Sequence, residues 1–369
     1  MDQSYQYPVT VTNEISYLCT VETVLEKKDI RAFSPEELKT VFERMGQPAY
    51  RATQVYEWLW KKSVSSFSEM TNLSRELRER LEEQFAIHAV QVSNSQQSND
   101  GTIKSAFRLY DGNLVEGVLI PAEERMTACV SSQVGCSLTC KFCATGYMDR
   151  KRNLEAAEIY DQVVLIDRQA RENYGLPLSN IVYMGMGEPL LNYRNMMTSI
   201  DRLTAEDGLN MSYKRITVST AGIAKMIRRL GDDGARFNLA LSLHAANDRK
   251  RHEIMPIGEQ NSLEALRDAL KYYFSKTKNP VTYEYIVFNN FNDEIEDARE
   301  LVLFCKHVPC KVNIIEYNPI EFADFKNTGA DKLDAFANYL RNRGVNVHVR
   351  RSRGKDIDAA CGQLAVKQK

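Results

Sequence analysis

No apolar run in this 369-residue chain approaches the roughly 18 residues that a membrane span requires. Residues 1–20 also lack the basic stretch followed by an apolar one that marks a secretory leader. Neither a membrane anchor nor export is expected, and the chain is placed in the cytoplasm. Net charge is almost absent: 48 Lys plus Arg stand against 49 Asp plus Glu, giving −1. That excludes a blanket polyanion binder, so any nucleic-acid affinity must come from local basic patches. Eight cysteines are too few for a disulfide scaffold at this length. In a reducing compartment they read as metal ligands or reactive thiols. With 43% hydrophobic and 26% charged residues, the composition excludes global disorder and supplies ample core.

Residues 1–28 form an N-terminal extension to which no role attaches; Val9-Thr10-Val11-Thr12 has strand-type residues. A helix start follows. Ser34 is the N-cap, Pro35 the first helical residue, and Glu37 closes a capping box, with Phe33 and Leu38 as a hydrophobic staple. Gly46 stops this helix. Helices over Arg51–Lys61 and Leu73–Phe85 complete a small helical domain, 29–92. The polar run Ser93–Gly101 reads as a linker or turn, followed by a hairpin, Ile103–Tyr110 and Leu114–Ile120, turning at Asp111-Gly112. From 126 to 369 strands and helices alternate: strands at 126–131, 181–186, 215–219, 238–243, 282–288 and 312–317, helices such as 155–172 and 262–274, and one further strand at 345–350. Six βα-type repeats predict an α/β fold with a parallel sheet, as a full or partial barrel or a doubly wound sheet.

Cys136, Cys140 and Cys143 follow the first of these strands in a C-x3-C-x2-C spacing. Structural zinc usually takes four ligands, often from two knuckles, and no second knuckle is present. Three thiolates suit a 4Fe–4S cluster that leaves one iron for a non-protein ligand. This spacing on a loop at a barrel mouth is the signature of radical S-adenosylmethionine (SAM) enzymes; zinc is the alternative.

Other strand ends add polar groups at the same rim, where barrel active sites lie. Gly185-Met186-Gly187-Glu188-Pro189 lets a ligand approach the backbone closely, and Glu188 suits an ammonium group. Ser219, Ser242, Leu243, His244 and Asn318 lie at three further strand ends. Cys129, on the strand feeding the cluster loop, reads alone as a small buried hydrophobe. Cys361, in a polar Gly-containing segment after a basic run, reads as exposed and thiolate-prone. Cys19, Cys305 and Cys310 read as structural.

Together these residues resemble one family over about 32–364: the radical SAM adenine-C2 methyltransferases of ribosomal RNA and tRNA (RlmN family). The resemblance rests on Val115-Glu116, Ser131–Cys136, Gly185–Asn192 and Arg353–Leu364 as well as the cysteine triad. It implies a partial (β/α)6 barrel with a helical accessory domain that binds RNA. It implies methylation of C2 of adenosine in 23S ribosomal RNA and in tRNA, 3′ of the anticodon, with two SAM per turnover. C2 is electron-poor, so a first SAM methylates Cys361. A second yields an adenosyl radical that takes hydrogen from the S-methyl group, and the carbon radical adds to C2. Cys129 matches the thiol that then forms a transient disulfide with Cys361, and Glu116 matches the proton acceptor. Gly187, Glu188, Ser219, Ser242, Leu243, His244 and Asn318 match cofactor contacts, with Met184 and Met186 beside them. A reducing electron donor such as flavodoxin and a monomeric state are also implied.

Charge supports an RNA partner. Arg341–Lys369 holds eight basic and two acidic residues, abutting Cys361. Asp149-Arg150-Lys151-Arg152, Lys214-Arg215 and Arg249-Lys250-Arg251 are smaller patches. Stacked adenine must be extruded, or met in a loop, for C2 to be reached. The chain ends eight residues after Cys361, where many members carry a longer basic tail, and weaker RNA affinity is expected from that. Alternatives are an adenine-C8 ribosomal RNA methyltransferase that confers antibiotic resistance, a non-catalytic Fe–S or zinc RNA-binding protein, and a ribosome-assembly factor.

Overall fold

A computed structural model describes residues 27–366. Val9–Thr12 and Cys19 lie outside the described residues, as do Lys367 and Lys369. Three helices open the described chain, α1 (Pro35–Arg44), α2 (Ala49–Trp60) and α3 (Arg75–Gln84). The Ser34–Glu37 capping box forms in both directions. Each helix contributes a narrow apolar stripe, including Leu38 and Phe42, Val55 and Leu59, Leu77 and Leu81, and these stripes bury against one another.

The strands are β1 (Gln91–Gln97), β2 (Ile103–Arg108), β3 (Leu114–Ala122), β4 (Arg125–Cys129), β5 (Gln133–Val134), β6 (Arg152–Asn153), β7 (Asn180–Tyr183), β8 (Ile216–Thr220), β9 (Asn238–Ser242), β10 (Val281–Val287), β11 (Cys310–Glu316) and β12 (Asn346–Arg350). Ten form one sheet in the order β1-β2-β3-β4-β7-β8-β9-β10-β11-β12, and β5 pairs with β6. From β4 to β12 all neighbours are parallel; β1 to β4 are antiparallel. The parallel strands are joined by α4 (Ala156–Tyr174), α5 (Tyr193–Thr204), α6 (Ala224–Asp232), α7 (Asp248–Ile254), α8 (Leu263–Thr277), α9 (Ile295–Cys305) and α10 (Ala330–Arg341). Among the described residues no helix is long and apolar enough to cross a membrane.

The sheet curls without closing. One cavity is lined from β4 (Thr127, Cys129) through β8 (Thr217) and β10 (Glu284) to β12 (His348, Arg350), so both ends of the parallel run face the same space. This is the partial barrel, with β12 as a seventh parallel strand. A parallel sheet buried on both faces reads as a continuous apolar run. Here β10 and β11 alternate instead. Tyr283, Tyr285, Val312 and Ile314 are buried and join the apolar core, while Thr282, Glu284, Lys311 and Asn313 line the interior cavity.

Two readings change. Ser93–Gly101 is not all linker: Gln91–Gln97 forms β1, fully exposed and paired with β2. Its polar side chains hid it, and polarity is what an exposed edge strand tolerates. The strand expected at 312–317 begins two residues earlier, at Cys310.

The helical segment is locked to α4 by a buried ion triad. Arg31 bridges Asp29 (3.0 Å) and Asp161 of α4 (2.8 Å), with only 2% of its side chain exposed. Deleting one member of such a network leaves uncompensated buried charge. Arg31→Ala should therefore cost about 3–5 kcal/mol in urea unfolding. A loss below about 1 kcal/mol, the worth of a surface pair, would contradict this account.

Candidate functional site: two cavities and a shared wall

The cysteine loop leaves β4 and is bracketed by the β5–β6 ribbon, with Gln133 opposite Asn153. Its winding is fixed by main-chain bonds: Cys143 N–H donates to Cys140 O (3.2 Å), Gly146 N–H to Cys143 O (2.9 Å) and Lys141 N–H to Ile254 O (3.0 Å). A Cβ on Gly146 would lie 2.8 Å from Cys140 O, so this tight turn needs glycine. Cys136, Cys140 and Cys143 all face one cleft of about 160 Å3. Its other walls include Gly187, Glu188, Ser219, Ser242, His244 and Met184. The cleft therefore gathers three predicted ligands and six predicted cofactor contacts.

Burial pushes all three thiols up, Cys136 to about 11. Cys140 is raised further by the negative forms of Cys143 and Cys136. Three converging thiolates that repel one another are stable only around a cationic centre. The loop's donor set is all sulfur, and the fourth thiol lining the cleft, Cys361, belongs to the C-terminal segment rather than to this loop; three loop sulfurs fit an iron–sulfur cluster with an open iron.

Glu188 is tied at both oxygens. Oε1 accepts Leu190 N–H (3.0 Å) and Oε2 accepts Ala221 N–H (2.7 Å), which pins the end of β7 to the end of β8. Burial still pushes its carboxyl up, and each oxygen keeps a further lone pair for an ammonium donor. The preceding Gly187 has φ +95°, and a Cβ there would meet Gln133 Cβ at 2.5 Å. Gln133 Oε1 is also the acceptor for Glu188 N–H (2.8 Å). Gly187→Ala should therefore displace Glu188, at a cost of about 1–3 kcal/mol in backbone strain. It should weaken SAM binding by about tenfold or more, since one displaced charge-assisted contact is worth that much. Equilibrium binding to reconstituted protein checks this, and unchanged affinity would separate the turn from the cofactor.

His244 is buried at φ +55°. Its Nδ1 accepts Ile286 N–H (3.1 Å), and burial pushes it down to about 3, so it stays neutral. Leu243 is buried but is not in the cleft wall. Asn318 donates Nδ2–H to Cys361 O (3.1 Å), and its buried Oδ1 has no hydrogen-bond partner. Met186 is turned out of the cleft: its sulfur accepts Glu116 N–H (3.3 Å) beneath β3.

A second cavity of about 870 Å3 runs through the barrel interior. Arg125, Lys214, Arg215, Lys311, Arg350, Arg351 and Arg353 line it against a single carboxylate, Glu284. Two basic runs far apart in sequence thus share one surface. In the other two runs three cations are spent internally. Arg152 is paired with Asp111 (2.6 Å) and Glu158 (2.7 Å), Lys250 with Asp297 (2.5 Å), and Arg251 is fully buried with Nη2 on Ala221 O.

Cys129 lines this second cavity and Cys361 lines both. The segment carrying Cys361 is held by its main chain. Ala144 N–H donates to Gly362 O (2.7 Å), and Thr145 Oγ to Leu364 O (2.6 Å). Asp356 accepts from Ser98 and Asn99 at the β1–β2 turn. Cys361 is accessible because it faces the cavities, yet protein surrounds it, and that burial pushes its thiol up, opposed by Arg350. It is exposed, as its segment suggests, but not thiolate-prone. Cys129 is buried, its thiol pushed up to about 12 by desolvation and then by Cys361. Both are free thiols.

Glu116 lines neither cavity. It lies on β3, 3.5 Å from Lys104, with its carboxyl raised by burial. Since Val118 pairs with Cys129, Glu116 shares the Cys129 face of the sheet one step along the strand.

Residues 28–87 match the family model for the N-terminal domain of ribosomal RNA large subunit methyltransferases, and 130–302 that of the radical SAM superfamily. The probable dual-specificity RNA methyltransferase RlmN of Cytophaga hutchinsonii is 61% identical, covering 96% of this chain and 98% of that one. The namesake from Salinibacter ruber is 46% identical over 94% and 96%. The crystal structure of a radical SAM methyltransferase from Sphaerobacter thermophilus superposes with TM-score 0.87 at 39% identity, over 92% of this chain and all of that one. The chain belongs to the RlmN family of dual-specificity RNA methyltransferases, radical SAM enzymes that use a 4Fe–4S cluster and S-adenosylmethionine.

Proposed function

We propose that this chain methylates C2 of adenosine in 23S ribosomal RNA and in tRNA, at the adenosine 3′ of the anticodon, with Cys361 carrying the carbon. The observation behind this is the position of Cys361 on the wall common to the three-cysteine cleft and the basic cavity. A sulfur there faces a methyl source on one side and an RNA base on the other.

Cys136, Cys140 and Cys143 hold the cluster, while Gly187, Glu188, Ser219, Ser242 and His244, with Met184 beside them, shape the SAM site, and Asn318 holds the main chain of Cys361. When bound, these groups supply a methyl group and a radical able to abstract hydrogen. The chain's own residues do the rest. Cys361 must lose its proton to accept the methyl group, and the Arg350 charge favours the thiolate. The basic cavity holds the phosphates near an extruded base. Glu116 takes the proton from C2 and the adduct's surplus electron returns to the electron-donor side; the Cys129 thiolate then attacks the Cys361 sulfur, so that an S–S bond forms as the S–C bond breaks and the released carbon takes a proton to become the methyl group. The helical segment, 29–92, extends the RNA-binding surface. A low-potential donor such as flavodoxin supplies electrons, and the enzyme acts as a monomer in the cytoplasm, where both RNAs are and thiols stay reduced.

The test is anaerobic. Reconstituted protein is given dithionite, SAM and an RNA fragment holding the target adenosine, and digested nucleosides are compared with standards by mass spectrometry. 2-methyladenosine is expected. 8-methyladenosine would move the reaction to the other ring, and SAM cleavage without methylated adenosine would remove the RNA assignment.

A further inference from the structure

Five residues line both cavities: Met184, Glu284, Ile315, Arg350 and Cys361. Glu284 is the one carboxylate among them and the one acidic group in the basic cavity. It points inward from β10 because Ser242 and Asn313 are its register partners on either side. Its main-chain carbonyl accepts Leu243 N–H (3.0 Å) and His244 N–H (3.3 Å), which fixes the strand. Oε1 accepts Asn313 Nδ2–H (2.8 Å), which fixes the carboxylate plane. Oε2 is buried and has no hydrogen-bond partner. The nearest cation, Arg350 Nη1, is 3.7 Å away, beyond hydrogen-bond range. Burial pushes this carboxyl up, with Arg350, Asn313 and Lys311 opposing. A buried carboxylate oxygen with an open lone pair is costly unless a ligand supplies a donor.

We propose that Glu284 determines base specificity: Oε2 accepts a hydrogen bond from the exocyclic amine of the target adenine, while Arg350 donates to ring N1. The inference rests on the target being an adenosine in RNA. Amine, N1 and C2 are consecutive positions on one edge of adenine. A base held by Glu284 and Arg350 at the first two presents the third, C2, to Cys361 on the same wall. Ionised Glu accepts only and Arg donates only, which matches the donor–acceptor order of that edge. A 6-oxopurine inverts the order, placing a carbonyl against the carboxylate and N1–H against the guanidinium. The site would then reject it even where C2 carries hydrogen.

The test crosses protein variants with base analogues. RNA fragments carry adenosine, purine riboside (no amine, same C2–H) or inosine (6-oxo, same C2–H) at the target. The kcat/KM for C2 methylation is read by nucleoside mass spectrometry, with SAM affinity and iron content measured in parallel. Wild type should favour adenosine over purine by about ten- to a hundredfold, the worth of a hydrogen bond to a charged group. Glu284→Ala should bring that ratio near one. Glu284→Gln, nearly the same shape, should raise inosine relative to adenosine, because its amide can donate to the 6-oxo group; it carries the test if the alanine variant fails to fold. An adenosine-to-purine ratio that is the same in wild type and variants, or lost SAM affinity with that ratio unchanged, would overturn the inference and leave the RNA reading standing. Wild type that cleaves SAM without methylating the adenosine fragment would overturn the RNA reading, and the inference with it.

Discussion

Cys361→Ala should load its cluster normally, bind SAM and form no 2-methyladenosine, a loss of at least about a thousandfold in rate. C2 of adenine is electron-poor and does not attack a sulfonium, so the methyl carbon needs a carrier that reaches both reactants. Two thiols lie near the basic cavity, and Cys361 alone also opens on the cysteine cleft. The substitution is clean because its segment is fixed through the main chain: Asn318 holds Cys361 O and Ala144 N–H holds Gly362 O. Neither contact uses the sulfur. Iron and sulfide content should match wild type, and the loss should appear in nucleoside analysis alone. Methylation within tenfold of wild type would end the role assigned to Cys361.

Local features and the alternation that makes a partial barrel were legible in the sequence; which side chains that barrel buries was not. The Cys136–Cys140–Cys143 spacing and the Gly187-Glu188 turn each lie within a few residues and carry their own geometry. The Ser34 capping box is local for the same reason. What burial decides stayed hidden. Cys361 sits in a polar, glycine-containing segment, yet the walls of two cavities raise its thiol. Arg152 and Arg251 look like patch residues until Glu158, Asp111 and the Ala221 carbonyl claim them. Met186 flanks the same glycine as Glu188, but it packs beneath β3. Glu284 escaped notice although a signal was present. Thr282 and Glu284 alternate with Val281, Tyr283 and Tyr285, and a polar period of two inside a parallel strand marks a wet interior. Read that way, the 281–287 strand predicts an open barrel before any coordinates exist.

Cys129→Ala should accumulate RNA covalently bound to protein, up to about one RNA per chain, stable on a denaturing gel. Once the Cys361-borne carbon joins C2, sulfur, carbon and base form one chain of bonds, and release requires the sulfur to leave. A second thiolate attacking that sulfur forms an S–S bond as the S–C bond breaks, and the freed carbon takes a proton to become the product's methyl group. Cys129 suits the task by position: it lines the basic cavity, and the charge of Cys361 is felt at its sulfur. Its thiol, pushed up to about 12 by burial, is inert on its own. The attack therefore depends on proximity. The trapped species should retain the methylene carbon, shown by the label from methyl-labelled SAM remaining with the protein–RNA band. Adding Cys361→Ala should erase the band, since the adduct needs that sulfur first. Wild type should need an added thiol reductant for repeated turnover, because each cycle leaves Cys129 and Cys361 oxidised. Multiple turnovers by Cys129→Ala with no trapped band would assign release to another group, and besides Cys361 no other free thiol among the described residues lines the basic cavity.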